Sequence, residues 1–181
     1  MDAKDKEKLG LVQVYTGDGK GKSTAAFGLA LRAAGGGMHV VIIQFMKKGE
    51  WYGEIVAFKR LPEIEIYSFG SDKFLKKGNR PDEQNINLAE EAMAKARAAM
   101  DDDSVDILIL DELNNAIYFD LISEEDVLDL IQAKPQHQEL IITGRNASEK
   151  LIAAADLVTE MREIKHPYRL QGIQARRGIE Y

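Results

Sequence analysis

The chain of 181 residues contains no cysteine. That removes disulfide frameworks, thiolate nucleophiles and cysteine-ligated zinc from consideration. Its three histidines are scattered and form no metal-binding pattern. Only four prolines and one tryptophan are present, and no apolar run approaches the length needed to span a bilayer. Basic residues are outnumbered, 24 against 30 acidic, for a net charge of -6. A nucleic-acid binder carries a basic excess or stripe more often, so nucleic acid is not the expected partner. The first eight residues are charged throughout and do not read as a signal peptide. A soluble, cytoplasmic protein is the expectation, with residues 1–10 as a charged tail and 11–181 as one domain, long enough to bury a sizeable core.

What is present is concentrated in one segment. Leu11 to Tyr15 is an apolar run, Thr24 to Ala34 an alanine-rich one, and between them lies Thr16-Gly17-Asp18-Gly19-Lys20-Gly21-Lys22-Ser23. Strand, glycine loop and helix in that order are the context of a phosphate-binding P-loop. Glycines at 17, 19 and 21 let the backbone turn and approach an anion closely. Their N–H groups form a nest, and the helix N-terminus adds partial positive charge. Lys22 is placed to reach the outer phosphates, and the Ser23 hydroxyl to ligate a magnesium ion that travels with a nucleotide triphosphate. The usual pattern has glycine where this chain has Thr16. Lys20 is either a second phosphate contact or a solvated loop residue.

The rest of the chain alternates short apolar strands with amphipathic helices. His39–Phe45 reads as a strand buried on both faces. Residues 55–61 read as a short helix stopped by Pro62, and Glu65–Phe69 as a third strand. Residues 71–80 form a Lys/Gly-rich loop, and Pro81 suits the first position of a helix running to Met100. Val105–Leu110 is a strand, Ser123 an N-cap, Leu140–Thr143 a strand, Ser148–Ala155 a helix and Leu157–Ile164 a last strand. The pattern implies an α/β fold, a three-layer P-loop NTPase (RecA-like) domain with a mainly parallel sheet. Ligands in such folds sit beyond the carboxyl ends of the strands. The P-loop, Asp111-Glu112 and Thr143-Gly144-Arg145 all fall there.

The segment Asp106–Glu112 has the form of a Walker B strand, an apolar run delivering carboxylates to the sheet edge. Asp111 and Glu112 are candidate magnesium ligands, because the hard cation prefers oxygen; Glu112 is alternatively a water-polarising group. Arg145 is either a bidentate triphosphate clamp or a salt-bridged surface residue. Arg32 lies on the solvated face of its helix by periodicity.

The motifs in sequence, VYTGDGKGKSTAAFGLALRAAG, VVIIQFMKKGEWYGE, ILILDELNNAI, LIITGRNAS, ADLVTEMREIKHPY and GIQARRGIEY, resemble the P-loop ATP:corrinoid (cob(I)alamin) adenosyltransferases from Leu11 to Tyr181. The resemblance implies that a Co(I) corrinoid attacks the ribose C5′ of ATP and expels triphosphate, in adenosylcobalamin synthesis or salvage. ATP is then co-substrate, Mg²⁺ its companion, and the corrinoid the acceptor. Carried over by position, Gly17, Asp18, Gly19, Lys20, Gly21, Lys22, Ser23 and Thr24 form the phosphate cradle. Lys22 and Glu112 are the catalytic candidates. Ser23 and Glu112 lie near the metal with Asp111 supporting, and Arg32 and Arg145 become nucleotide contacts. Asp18 stands where the family commonly has Asn, so it is expected to face ribose or solvent. Some members cover the corrin with a Gly-Phe-Thr-Trp segment; this chain has Phe69-Gly70-Ser71-Asp72-Lys73-Phe74-Leu75, without the Trp. Trp51, Phe69 and Phe74 are the aromatic candidates for the corrin, although Phe69 also suits strand core and Trp51 with Tyr52 suits a packing role. His166 suits a structural role better than cobalt ligation. A homodimer and a separate reductase are further implications. A small-molecule kinase or ATPase, which would form ADP, and a non-catalytic corrinoid carrier are the competing readings.

Overall fold

A computed structural model of the chain describes residues 8–49, 51–72, 75, 78 and 81–181. Six strands form one sheet: β1 Val12–Thr16, β2 Val40–Phe45, β3 Ile64–Phe69, β4 Ile107–Asp111, β5 Glu139–Thr143 and β6 Leu157–Glu160. Their spatial order is β3-β2-β4-β5-β1-β6, and every neighbouring pair is parallel. Helices cover both faces: α1 Lys22–Gly35, α2 Gly53–Phe58, α3 Glu83–Met100, α4 Leu113–Tyr118, α5 Glu124–Ala133, α6 Glu149–Ala154 and α7 Pro167–Gln171.

Period-two alternation in the strands divides the core. Ile42, Ile107, Ile109 and Ile141 pack with Ala26, Ala30, Ala33 and Ala34 of α1. Val41, Ile43, Phe45, Leu108, Leu110, Leu140 and Ile142 pack on the other face with α3, α4 and α5. Alanines on the buried side of α1 let that helix lie close to the sheet, which fixes where its N-terminus, and the loop before it, can sit. Leu108 is fully buried. Leu108→Ala should cost about 2–5 kcal/mol through lost burial and the cavity left behind, read from chemical denaturation.

The same alternation matters at the strand ends. Gln44, Asp111 and Thr143 continue the α1-facing rows of β2, β4 and β5. Gln44 is register partner of Asp111, and Ser68 of Gln44. Polar residues thus collect on one face at one edge, above the start of α1.

Several expected boundaries move. The third helix begins at Glu83 and not at Pro81, because Asp82 caps it, its carboxylate accepting from the Asn85 N–H at 3.0 Å. The second helix spans 53–58, ahead of the expected 55–61. The last strand stops at Glu160. It pairs only with β1, and beyond it Met161 turns over the P-loop, donating its N–H to Thr16 O and accepting the Gly19 N–H. Residues 1–7 lie outside the described residues, but Gly10 is anchored already. Its N–H donates to Glu139 Oε2 at 2.9 Å, and its carbonyl accepts from Lys134 Nζ at 2.6 Å.

Candidate functional site

The P-loop leaves β1 at Thr16, which keeps strand geometry and accepts the Ala147 N–H on its hydroxyl at 3.2 Å. The left-handed positions are Gly17 (φ 95°) and Gly21 (φ 124°). The turn therefore starts one residue after the position where the usual motif needs its first glycine, and threonine is tolerated there. Gly21 caps α1 with no side-chain hydrogen bond, so the helix N-terminus is presented to the site by backbone alone. The Lys22 ammonium lies inside the loop's curve and donates to Gly17 O at 2.7 Å and Gly19 O at 2.8 Å. Burial, and then the charge of Arg145, push its pKa down.

The P-loop borders a cavity of about 1170 Å³. Asp18, Gly19, Lys20, Gly21, Lys22, Ser23 and Thr24 line it, together with Glu112 and Arg145. Gly17 contributes through its carbonyl to Lys22. Asp18 faces solvent, as expected for an acid beside an anion site, with Oδ1 a loose 4.0 Å from Arg145 Nη1. Lys20 turns away from the loop and donates to Ile179 O at 3.0 Å and Glu180 Oε1 at 3.1 Å. Arg32 is exposed in the last turn of α1 and is not among the residues lining the cavity, although its neighbour Leu31 is.

The two acids of β4 differ sharply. Asp111 has no exposed surface. Its Oδ1 accepts from Thr143 Oγ1 at 2.7 Å, and its Oδ2 from Lys47 Nζ at 2.8 Å and Gln44 Nε2 at 3.1 Å. Burial pushes this carboxyl up, but the Lys47 charge, with hydrogen bonds from Lys47, Ser23 and Thr143, outweighs it and holds the pKa below the ordinary value. Glu112 takes a left-handed backbone (φ 65°) at the head of α4. Its N–H donates to Thr143 Oγ1 at 3.0 Å, and its carboxylate accepts from Asn115 Nδ2. Burial, then the neighbouring Asp111, raise its pKa. Thr143 thus ties both acids to the end of β5.

The aromatic candidates separate. Trp51 is 59% exposed. It stacks on Tyr52 at 4.3 Å and meets Tyr181 edge-on at 5.2 Å, and Tyr181 lines the cavity. Phe69 packs against the main core from β3 and lines a separate, smaller pocket with Tyr67 and Ser68. This agrees with its core reading and does not bring it to the P-loop. Phe74 lies outside the described residues. His166 caps α7, its Nδ1 accepting from the Tyr168 N–H at 3.3 Å, and lines the cavity.

Three features have no place in the sequence reading. Lys47, just beyond β2, enters the cavity wall. Its position past the carboxyl end of a strand is the signal that marks it. The short helix α4 follows Glu112 directly, and its start approaches Gly144 so closely that a Cβ there would lie 2.9 Å from Asn114 Cβ. The C-terminal segment lines the cavity with residues 162–167 and 178–181.

As for a metal, a hydroxyl and two carboxylates are the oxygen donors that Mg²⁺ selects. Among the described residues no group of three or more His, Cys, Asp and Glu forms a metal cluster. The set fits an ion whose remaining ligands are phosphate oxygens and water.

The family model for the ATP:corrinoid adenosyltransferases BtuR/CobO/CobP matches residues 8–181. A corrinoid adenosyltransferase of Pseudomonas aeruginosa is 38% identical over 179 residues, covering 99% of this chain and 87% of the relative. One from Sinorhizobium is 39% identical over 184 residues, covering all of this chain and 84% of the relative. The corrinoid adenosyltransferase CobA of Salmonella typhimurium is 35% identical, covering 99% and 89%. Among solved structures, EssC (ATPases 2 and 3) of Geobacillus thermodenitrificans shares the fold with a TM-score of 0.50 at 15% identity. That likeness covers 94% of this chain and 36% of the ATPase chain, and it bears on the fold alone. A likeness that runs unbroken through loop, acid pair and C-terminal segment places the chain in the ATP:corrinoid adenosyltransferase family.

Proposed function

We propose that this ATP:corrinoid adenosyltransferase binds Mg-ATP with its triphosphate on Gly17–Thr24, and takes a Co(I) corrinoid in the open remainder of the same cavity. The observation that carries the reading is the cavity's size and polarity. Its 1170 Å³ exceeds the ~300–1,000 Å³ of an ordinary small-molecule site. The cationic loop lines it, and so do the apolar Phe27, Leu31 and Phe58.

In the reaction, the cobalt electron pair forms a Co–C bond to ribose C5′ as the C5′–O bond breaks. The bonding pair departs with the triphosphate, and cobalt becomes formally Co(III). Negative charge grows on the leaving oxygen, so donors aimed there act more strongly in the transition state than in the ground state. The loop N–H groups and Lys22 are those donors, and Arg145 closes on the phosphates from the end of β5. Ser23 and Glu112 would hold the metal, with Asp111 supporting from the buried side. When bound, Mg²⁺ supplies positive charge to the triphosphate. No protein nucleophile is required, which suits a chain without cysteine. Positioning cobalt in line with C5′ accounts for much of the remaining acceleration.

Trp51, stacked on Tyr52 at the cavity rim, is the aromatic best placed for the corrin. The open edge of β6, with Leu157 and Val158 exposed, supports a homodimer. A cytoplasmic reductase supplies the electrons. Anaerobic incubation with Mg-ATP and reduced corrinoid should give a light-sensitive adenosylated corrinoid and one equivalent of triphosphate. ADP formed without corrinoid would overturn the reading in favour of a kinase or ATPase.

A further inference from the structure

Lys47 stands beside the aspartate that ends the Walker-type strand. Its ammonium is largely covered, and it lies 2.8 Å from a carboxylate with no exposed surface. The Phe27 ring sits 5.6 Å from Nζ and confines it on one side. A carboxylate has about four lone-pair sites. Three of those of Asp111 receive Thr143, Gln44 and Lys47. Gln44 is itself held by the Ser68 hydroxyl at 2.8 Å. The network runs across four adjacent strand ends, from β3 to β5, with Lys47 as its charged member. Asp111 is therefore buried and held by three donors of the protein, whereas Glu112 lines the cavity.

We propose that Lys47 is a positioning residue for the metal of this reaction: it holds Asp111 inward, as the acceptor of Thr143 and Gln44, and so leaves Glu112 as the acid that faces the ion. The inference rests on the placement of the metal at Ser23 and Glu112 given above. Charge explains why a lysine is suited to this. A buried carboxylate without a cation needs a counter-charge, and a divalent ion is the strongest one available. With Lys47 in place that demand is met by the protein, and the ion stays with the triphosphate and the acid at the cavity wall. Without Lys47, the metal is drawn down onto Asp111, away from the leaving group.

The test uses Mn²⁺ as probe, bound with ATP in the absence of corrinoid, and followed by the loss of the free-ion EPR signal. In the otherwise native chain, Glu112→Gln should weaken Mn²⁺ binding by at least about ten-fold. Asp111→Asn should weaken it by a clearly smaller factor than Glu112→Gln does, since its part is indirect. In a Lys47→Met background the ranking should invert, with Asp111→Asn now the damaging change. Lys47→Arg should keep the native ranking. A merely structural Lys47 would leave the ranking the same in both backgrounds, and that result overturns the proposal. Asp111→Asn as damaging as Glu112→Gln in the native background overturns it equally, and this comparison stands even if Lys47→Met does not fold. If Glu112→Gln leaves Mn²⁺ affinity unchanged in the native background, the metal placement itself falls, and the inference with it.

Discussion

Lys22→Ala should lower kcat for adenosyl transfer by about 10²–10³-fold, the scale of losing one donor aimed at developing charge. The Lys22 ammonium is set between two carbonyls of its own loop, Gly17 O and Gly19 O. It is therefore held in the curve of the cradle before any phosphate arrives, and little reorganisation is needed when one does. Because the triphosphate gains charge as the C5′–O bond breaks, the loss should fall more on kcat than on ATP affinity. Equilibrium binding of ATP without corrinoid, set beside single-turnover rates, separates the two. The fold should survive. What disappears is two hydrogen bonds of about 0.5–1.5 kcal/mol each, while α1 remains anchored by its buried alanines. Near-native rates in this variant would remove Lys22 from the phosphate cradle. A variant with native kcat and weakened ATP binding would make it a ground-state contact only.

The elements that the sequence reveals well are those whose signals are local. The glycine spacing of residues 17–21, the apolar runs of β2, β4 and β5, and the Ser123 cap all appear as expected. The parallel sheet follows from strands alternating with helices. Partners that meet only through register are harder to read. Gln44 and Asp111 are 67 residues apart, and Asp111 and Thr143 are 32 apart; only the sheet order brings them to one edge. Lys47 stands in a Lys-Lys-Gly turn that looks solvated in one dimension. Its burial depends on Asp111 waiting on the neighbouring strand. The acids at the end of β4 are adjacent in sequence and differ in setting, because Asp111 ends a buried row while Glu112 takes a left-handed turn beside the cavity.

The C-terminal segment shows the same limit from another side. Residues 161–181 carry little hydrophobic periodicity, and most of their surface is exposed. They contribute a backbone contact and a side-chain contact to the P-loop. Met161 takes the Gly19 N–H at 2.6 Å, and Glu180 holds Lys20, with its own pKa drawn down to about 2 by Arg176 and Lys20. Neither contact has a side-chain pattern that marks it in advance.

That backbone contact makes Gly17 the second position of large expected effect. Gly17 sits at φ 95°, which strains any L side chain. A Cβ there would lie 2.5 Å from Met161 O, 2.9 Å from Glu160 Cγ and 2.9 Å from Met161 N. Two of those three atoms are backbone, fixed by the Met161 N–H to Thr16 O bond at 2.8 Å, and cannot swing aside. Gly17→Ala must therefore either flatten the loop or lift the segment beyond β6. Flattening removes the Gly17 carbonyl from Lys22 and rotates the N–H nest away from the phosphates. Lifting displaces residues 162–167, which line the cavity. By either route ATP binding should fall by at least about 100-fold, roughly 2.7 kcal/mol. Unfolding stability should fall by about 1–3 kcal/mol from backbone strain alone. Gly35→Ala is the matching control. It ends α1, and nothing lies within 4 Å of its added Cβ, so it should stabilise by about 0.5–1 kcal/mol and leave ATP binding unchanged. Isothermal titration with ATP and denaturant unfolding of both variants check the pair. If Gly17→Ala binds ATP as the native chain does, the loop is not held against Met161 when nucleotide is bound, and the C-terminal segment moves aside on binding.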